Sequence, residues 1–465
     1  MKKFMVLTMC ALSIVTLSGC GQDATEQNEV QIEETNFNEE ALLTLAKEQA
    51  NDLIDGNAGN LISTFNEDML ATGLNAETLN TTIENFTANM GDYVDLYSET
   101  GTIKDGLYIV EIIQEYTNGG VKIMLVYDTN NDLAGLNINH AHIEKPLVST
   151  DKFEEVEVKI GETMPLDGIL TLPKGIENPP VVLLIHGSGP ADKNSTISVN
   201  TPFLDIAHGL AEQGVASLRY NKRTYSYPKE MVALGVDLTL RDEVLNDVDL
   251  AINLLSANKQ NRTNPKAIFV LGHSMSGGLT PVIATEHNNI AGIIAMASTL
   301  DPMFEVSYAQ NKDVEKAVNE SDMDEVTKKM ITEQMAAVEK DINILRGDIS
   351  DIPNDQILLG LPAGYQKSIK ELAGINFIDH VEVPILVLQG TADFQVKADK
   401  DFASWQDALT DNPDAEFKLY DNLNHLMMPS NGSQDISEYQ IKSEVSEEVI
   451  NDIADFVQTV TNNLQ

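Results

Sequence analysis

Three short stretches hold the residue types that acyl-transfer chemistry needs. The run AIFVLGHSMSGG places Ser274 two residues after Gly272, behind an apolar segment and ahead of Gly277-Gly278-Leu279. A serine on a sharp turn between strand and helix exposes its hydroxyl, and the positions two before and two after it must be small so that the elements can approach. Here the second of those positions is Ser276, not glycine. Serine is small enough to fit, yet it makes Ser276 a rival nucleophile, flanked by Ser274 and Gly278. Distance from the strand favours Ser274, which stands at the strand exit, whereas Ser276 is expected already in the helix.

A serine hydroxyl is a weak nucleophile until a base takes its proton, and the partners of such an elbow follow in the chain order serine, acid, histidine. ILVLQGTADFQV supplies Asp393, three residues after Gly390; Asp399 and Asp401 lie further on, in the expected next helix. The chain has eight histidines, and His425, in LYDNLNHLMM, is the only one beyond Asp393. An oxyanion hole needs two N–H groups, one from the residue after the nucleophile and one from an early strand-to-helix loop. The first is Met275. For the second, His186-Gly187-Ser188-Gly189-Pro190 follows the apolar run Val181 to Ile185, and its glycines let the N–H of Ser188, with Gly187 as the alternative, face the site. This turn lacks the Lys-Ser/Thr of a phosphate-binding loop and the spacing of a dinucleotide fingerprint, so it is not read as a nucleotide site.

The elements that must position these loops are legible as short, nearly continuous apolar runs: 181–185, 216–220, 267–271, 292–296 and 385–388. Helix-length segments such as 203–213 and 243–257 lie between them. Continuous apolar strands alternating with helices indicate an α/β fold, a parallel sheet covered on both faces, with chemistry at the carboxyl ends of the strands. Between Ser298 and His380 lies an insertion of about 80 residues, about 300–380, with charged helical repeats that include Met323, Met330 and Met335. A helical insertion here is expected to cap the pocket and to hold substrate choice, its methionines packing it onto the core.

The segments HGSGPADKN, LRYNKRT, LGHSMSGG, LQGTADFQV and LNHLMM, in this order, resemble a bacterial α/β-hydrolase group of acyl esterases related to dienelactone hydrolases. The resemblance covers roughly residues 151–465 and implies an esterase with Ser274, Asp393 and His425 as its triad, no metal, no organic cofactor and a small-molecule ester as substrate. Two departures are Ser276 for the usual glycine and Asn221 where relatives tend to have Asp. The triad alone does not choose among esters, peptide amides, thioesters and acyl transfer, and a surface-binding lipoprotein without turnover is the competing reading from another class.

Upstream, residues 39–147 read as a small α+β domain. Ala41, Leu42, Leu45, Ala46, Leu53 and Ile54 recur at helical spacing, further helices are expected near 60–71 and 76–89 with Asn75 as a cap, and four β-rich runs follow between 93 and 138. It resembles the small helix-on-sheet domain of unknown function found ahead of some Gram-positive hydrolases. Asp128, Asn130 and Asp132 have the odd spacing of a calcium loop, but Leu133 replaces its turn glycine and Asn139 its terminal Glu, so a hairpin turn is expected. His140 and His142, with no further His or Cys nearby, are not read as a metal pair.

The whole chain is acidic: 465 residues carry 30 Lys+Arg against 72 Asp+Glu, a net −42. Such a field excludes nucleic acid and charge-driven binding to anionic lipid. Lys2 and Lys3, an apolar stretch from Met5 to Leu17 and then Leu17-Ser18-Gly19-Cys20 form an export signal, too short to span a bilayer. It resembles the bacterial lipoprotein signal, which implies lipid on Cys20 after removal of 1–19 and an extracytoplasmic, membrane-anchored protein of net charge −44. Residues 20–38 are a polar, acidic tether. Cys10 is the only other cysteine, so no disulfide framework or cysteine-based metal cluster is expected.

Overall fold

A computed structural model describes residues 37–141, 143–257 and 262–464. The signal, Cys20, most of the tether and His142 lie outside the described residues. The first unit contains α1 (Glu39–Ile54), α2 (Ala58–Ile62), α3 (Glu67–Ala71) and α4 (Ala76–Thr87). The helix expected at 60–71 is two short ones, because Ser63 to Asn66 turn the chain and Asn66 caps α3 with its side chain. Asn75 caps α4, accepting the Thr78 N–H at 3.0 Å. Then β1 (Tyr93–Lys104), β2 (Leu107–Tyr116), β3 (Gly119–Tyr127) and β4 (Leu133–Ala141) form an antiparallel sheet in sequential order. Burial alternates along β2, and its inward residues Val110 and Ile112 join Leu42, Ala46, Ala50 and Leu53 of α1 in one core. Asp128 caps the β3–β4 turn, its Oδ1 accepting the N–H groups of Asn130 and Asp132, so that carboxylate is engaged by backbone.

The second unit is built on an eight-stranded sheet. β5 (Phe153–Ile160), β6 (Leu166–Pro173), β7 (Val181–Ile185), α5 (Pro202–Glu212) and β8 (Ala216–Tyr220) come first. Short α6 (Arg223–Ser226) and α7 (Pro228–Ala233) lead to a π-helical turn, Arg241–Leu245, that runs into α8 (Asn246–Ala257). β9 (Ile268–His273), α9 (Thr280–Glu286) and β10 (Ile290–Met296) follow. The insertion comprises α10 (Met303–Glu320), α11 (Glu325–Arg346), a hairpin of β11 (Ile357–Leu358) and β12 (Leu361–Pro362), and α12 (Ala363–Glu371). β13 (Ile385–Gly390), α13 (Ala403–Ala408), β14 (Ala415–Tyr420) and α14 (Glu447–Asn463) complete it.

The strand order is β14-β13-β10-β9-β7-β8-β6-β5, parallel from β14 to β8 and antiparallel at β6 and β5. This is the α/β-hydrolase sheet. The fully apolar strands are buried on both faces: Val181, Leu183 and Ile185 of β7 pack into one core with α8 and α9, and Val182 and Leu184 into the other with α5 and α14. Phe304, Ile342, Leu345 and Tyr365 of the insertion extend the first core. Of the four methionines in the insertion only Met335 is buried; Met330 is exposed, and Met303 and Met323 are half-buried.

Crossovers from β7 run to β8 on one side, while β9 lies on the other. That reversal puts the topological switch point at the carboxyl ends of β7 and β9, the place where ligands bind in such sheets.

Candidate active site

Register alone brings two of the loops together. Ile185 of β7 pairs with Gly272 of β9, so His186 lies beside His273 and Gly187 beside Ser274. A methyl group built on Gly187 would stand 3.0 Å from Ser274 Cβ, so only glycine lets the loop come this close. Ser274 itself has φ 56°, the left-handed region that costs a non-glycine residue free energy and persists only where surroundings enforce it. The enforcing contacts are backbone: a Cβ on Gly272 would meet the Ser276 carbonyl at 2.1 Å, and one on Gly278 the Thr299 carbonyl at 2.3 Å. Ser274 to Ser276 form one 3-10 turn and α9 starts only at Thr280, so Ser276 precedes the α-helix rather than lying inside it.

Ser276 is fully buried and donates its hydroxyl to the His186 carbonyl. Ser274 is half-buried and its hydroxyl has no hydrogen-bond partner among the described residues. Distance from solvent thus separates the two serines as strand spacing did.

Asp393 leaves β13 in a tight loop. Its Oδ1 accepts the N–H groups of Gln395 at 2.8 Å and Val396 at 2.9 Å; its Oδ2 accepts Gln389 Nε2 at 3.1 Å and pairs with His425 Nδ1 at 2.8 Å. Four contacts hold this buried carboxylate in one orientation. Asp401, the rival, accepts the Lys397 N–H and caps its own turn, and Asp399 sits in the same turn. In the tautomer that donates Nδ1–H to Asp393, His425 has Nε2 as its acceptor.

His273 ties the base to the strand that bears Ser274: its Nε2–H donates to the His425 carbonyl at 2.9 Å, and the rings lie 4.8 Å apart. Burial first, then the neighbouring His425, pushes the His273 pKa down to about 3, so it is a neutral donor. His186 is likewise pushed down to about 4, by burial and then by Lys222, and donates to the Asp192 carbonyl at 2.8 Å. No direct bond joins Ser274 to His425 among the described residues; such bonds are often long until substrate tightens them.

Sequence reasoning missed a buried polar chain under the first loop. Lys222 Nζ donates to the carbonyls of Gly187 at 2.9 Å and Gly189 at 3.0 Å and to Glu243 Oε1 at 2.5 Å. Tyr365 of α12 donates to the other Glu243 oxygen, and burial, then the Glu243 charge, hold its pKa well above the usual phenol value. The signal available was the lysine of LRYNKRT; Glu243 and Tyr365 carry no local motif. Asn221, the departure noted in that stretch, accepts the Lys193 N–H at 2.8 Å and so acts on the same loop.

Residues 169–404 match the family described as BD-FAE, and residues 46–136 match a family described as a protein of unknown function, DUF3887. The chain is 30% identical over 386 residues to Esterase EstD of Thermotoga maritima, across 82% of this chain and 87% of that protein. Among solved structures, Est1E from Butyrivibrio proteoclasticus is 16% identical, with a TM-score of 0.41, over 66% of this chain and 99% of that one. A dienelactone hydrolase from Anabaena variabilis is 15% identical, with a TM-score of 0.39, over 66% and 98%.

Proposed function

The chain belongs to the α/β-hydrolase esterases, the family of the BD-FAE match and Esterase EstD, and on that premise we propose that it cleaves carboxylic esters through an acyl-enzyme on Ser274. His425 Nε2 takes the Ser274 proton as Oγ attacks the ester carbonyl, and Asp393 stabilises the imidazolium that results. The Met275 and Ser188 N–H groups receive the negative oxygen of the tetrahedral intermediate. Its collapse expels the alcohol, protonated by His425; water, deprotonated by the same ring, then attacks the acyl-serine and releases the acid. The observation that carries this reading is the buried His425–Asp393 pair at 2.8 Å, tethered through His273 to the strained turn that exposes Ser274.

Labelling with a fluorophosphonate probe tests it. Wild type and Ser276→Ala label, Ser274→Ala does not; labelling lost only in Ser276→Ala would overturn the nucleophile. A series of p-nitrophenyl esters of increasing chain length tests the substrate class.

The same proposal places the enzyme outside the cell membrane, held by lipid on Cys20. It is supported by the Lys2-Lys3 start, the short apolar run and Leu17-Ser18-Gly19-Cys20. Double acylation anchors a protein without a basic patch, which an acidic surface does not provide. Cys20→Ala is expected to move the protein from the membrane fraction to the soluble one; retention in the membrane would refute the anchor.

A further inference from the structure

The two peptide groups beside Ser274 each have their carbonyl held by a buried donor. Ser276, with 0% of its surface exposed, donates to the His186 oxygen; Lys222, with 2% exposed, donates to the Gly187 oxygen. In a trans peptide the carbonyl and the following N–H point in opposite directions. A donor on the His186 oxygen therefore aims the Gly187 N–H, and a donor on the Gly187 oxygen aims the Ser188 N–H, each away from the donor. Neither of these N–H groups has a partner among the described residues. The three ammonium protons of Lys222 are all used, two on the loop and one on Glu243, so its position is fixed as well.

We propose that Ser276 and Lys222 are positioning residues of the oxyanion hole, which set the Gly187 and Ser188 amides through the His186 and Gly187 carbonyls and link them through Glu243 and Tyr365 to the cap. The inference rests on Ser274 being the nucleophile. A glycine-rich turn samples many conformations unless it is held, and an oxyanion hole is effective because its dipoles need no reorientation when charge develops. A cation behind the Gly187 carbonyl also polarises that peptide and strengthens its N–H as a donor. Ser276 thus does what glycine at that position does not: it supplies a hydroxyl to the loop.

Ser276→Ala and Ser276→Gly remove the hydroxyl with little change in volume. The double variant Lys222→Met/Glu243→Leu removes the ion pair without leaving either charge buried alone. Each is measured for kcat and KM on p-nitrophenyl acetate, for the inhibition constant of a trifluoromethyl ketone, whose serine adduct places an oxyanion in the hole, and for the fraction labelled by fluorophosphonate. Expected is a fall in kcat of roughly 10- to 100-fold, smaller than the loss on deleting an oxyanion donor itself, with KM changed less than about twofold. The ketone should weaken by the same factor as kcat/KM while the labelled fraction stays full. Unchanged kcat in the folded Ser276 variants, or lost activity matched by a smaller labelled fraction with unchanged ketone binding, overturns the proposal. If the double variant does not fold, the Ser276 variants decide alone. Hydrolysis surviving in Ser274→Ala is a different failure, that of the nucleophile assignment, since this change leaves both loop contacts in place.

Discussion

The corner around Ser274 and the cap above it are both rich in polar contacts, but the contacts are of different kinds. At the corner, Lys222, Glu243, Ser276, His186 and His273 are buried and hydrogen-bonded, and Gly272 and Gly278 leave no room for a side chain. In the cap, Arg346 meets Glu305 with two 2.7 Å bonds and Lys312 meets Glu315 and Glu339, all partly in water, while Val326 and Met330 are exposed. A buried donor whose partner is removed keeps its desolvation cost; an exposed one is rehydrated. On the proposed mechanism, the difference separates a preorganised reaction centre from a covering whose ion pairs contribute little to stability.

The largest effect that would break this comparison is on the reaction itself. Ser274→Ala should lower ester turnover by about 10⁴- to 10⁶-fold, and Asp393→Asn by about 10⁴-fold, since the amide no longer holds the right His425 tautomer. Both should leave thermal unfolding close to that of wild type, and a Ser274→Ala protein with more than about a hundredth of the activity would remove the corner's chemical role. Next comes stability. Glu243→Leu alone leaves the Lys222 ammonium buried without its counter-charge and should cost about 3–5 kcal/mol in urea unfolding. Arg346→Met in the cap should cost less than about 1 kcal/mol. Equal losses would show that burial does not distinguish the two regions.

Acid sharpens the same contrast. His186 and His273, held down to about 4 and about 3 by burial, stay neutral in the folded protein, whereas in the unfolded chain they titrate near 6.5. Between those values the unfolded chain binds protons that the folded one does not, so stability falls as pH falls below about 6.5, by about 3 kcal/mol for His186 alone. Asp205, raised to about 6 by burial, works the other way, holding a proton in the folded state between 3.8 and about 6. Urea midpoints followed from neutral pH downward should therefore decline, and the slope should be shallower in His186→Gln. An identical slope in the variant would refute the neutral buried histidine.

How much of this was legible in the sequence follows from how local each signal is. Fully apolar runs of about five residues such as Val181 to Ile185, alternating with helix-length segments, read as buried strands, and the elbow around Ser274 needs its glycines within four residues, so both were readable. Asp393 and His425 followed from chain order and elimination, and the fold brings them within 2.8 Å. Lys222, Glu243 and Tyr365 were not readable because their contacts span 21 and 122 positions, and a buried lysine in sequence looks like a surface one. The helix expected across 60–71 failed for a local reason: apolar spacing continued through Asn66, whose side chain starts a new helix instead.

The smallest expected effect concerns the cap, and it tests whether loose holding has a use. α10 meets the acid loop through Gln310, whose Nε2 donates to the Gln395 carbonyl at 3.1 Å, and through Lys397 with Asp313. Arg346, which also lies 5.2 Å over the Tyr308 ring, sets how α11 lies against α10. Arg346→Met keeps most of the side-chain volume while removing the paired charge, so the cap should stay folded but shift against the core. Because the Ser274 corner is braced independently of Arg346, turnover of p-nitrophenyl acetate should change less than about twofold, while the ratio of KM between long and short acyl chains should move by more, since long chains are the ones that reach the covering. A uniform fall in kcat at every chain length would mean that the cap acts on the oxyanion corner and not on the acyl group, and the link through Tyr365 of α12 to Glu243 would be the path by which it does so.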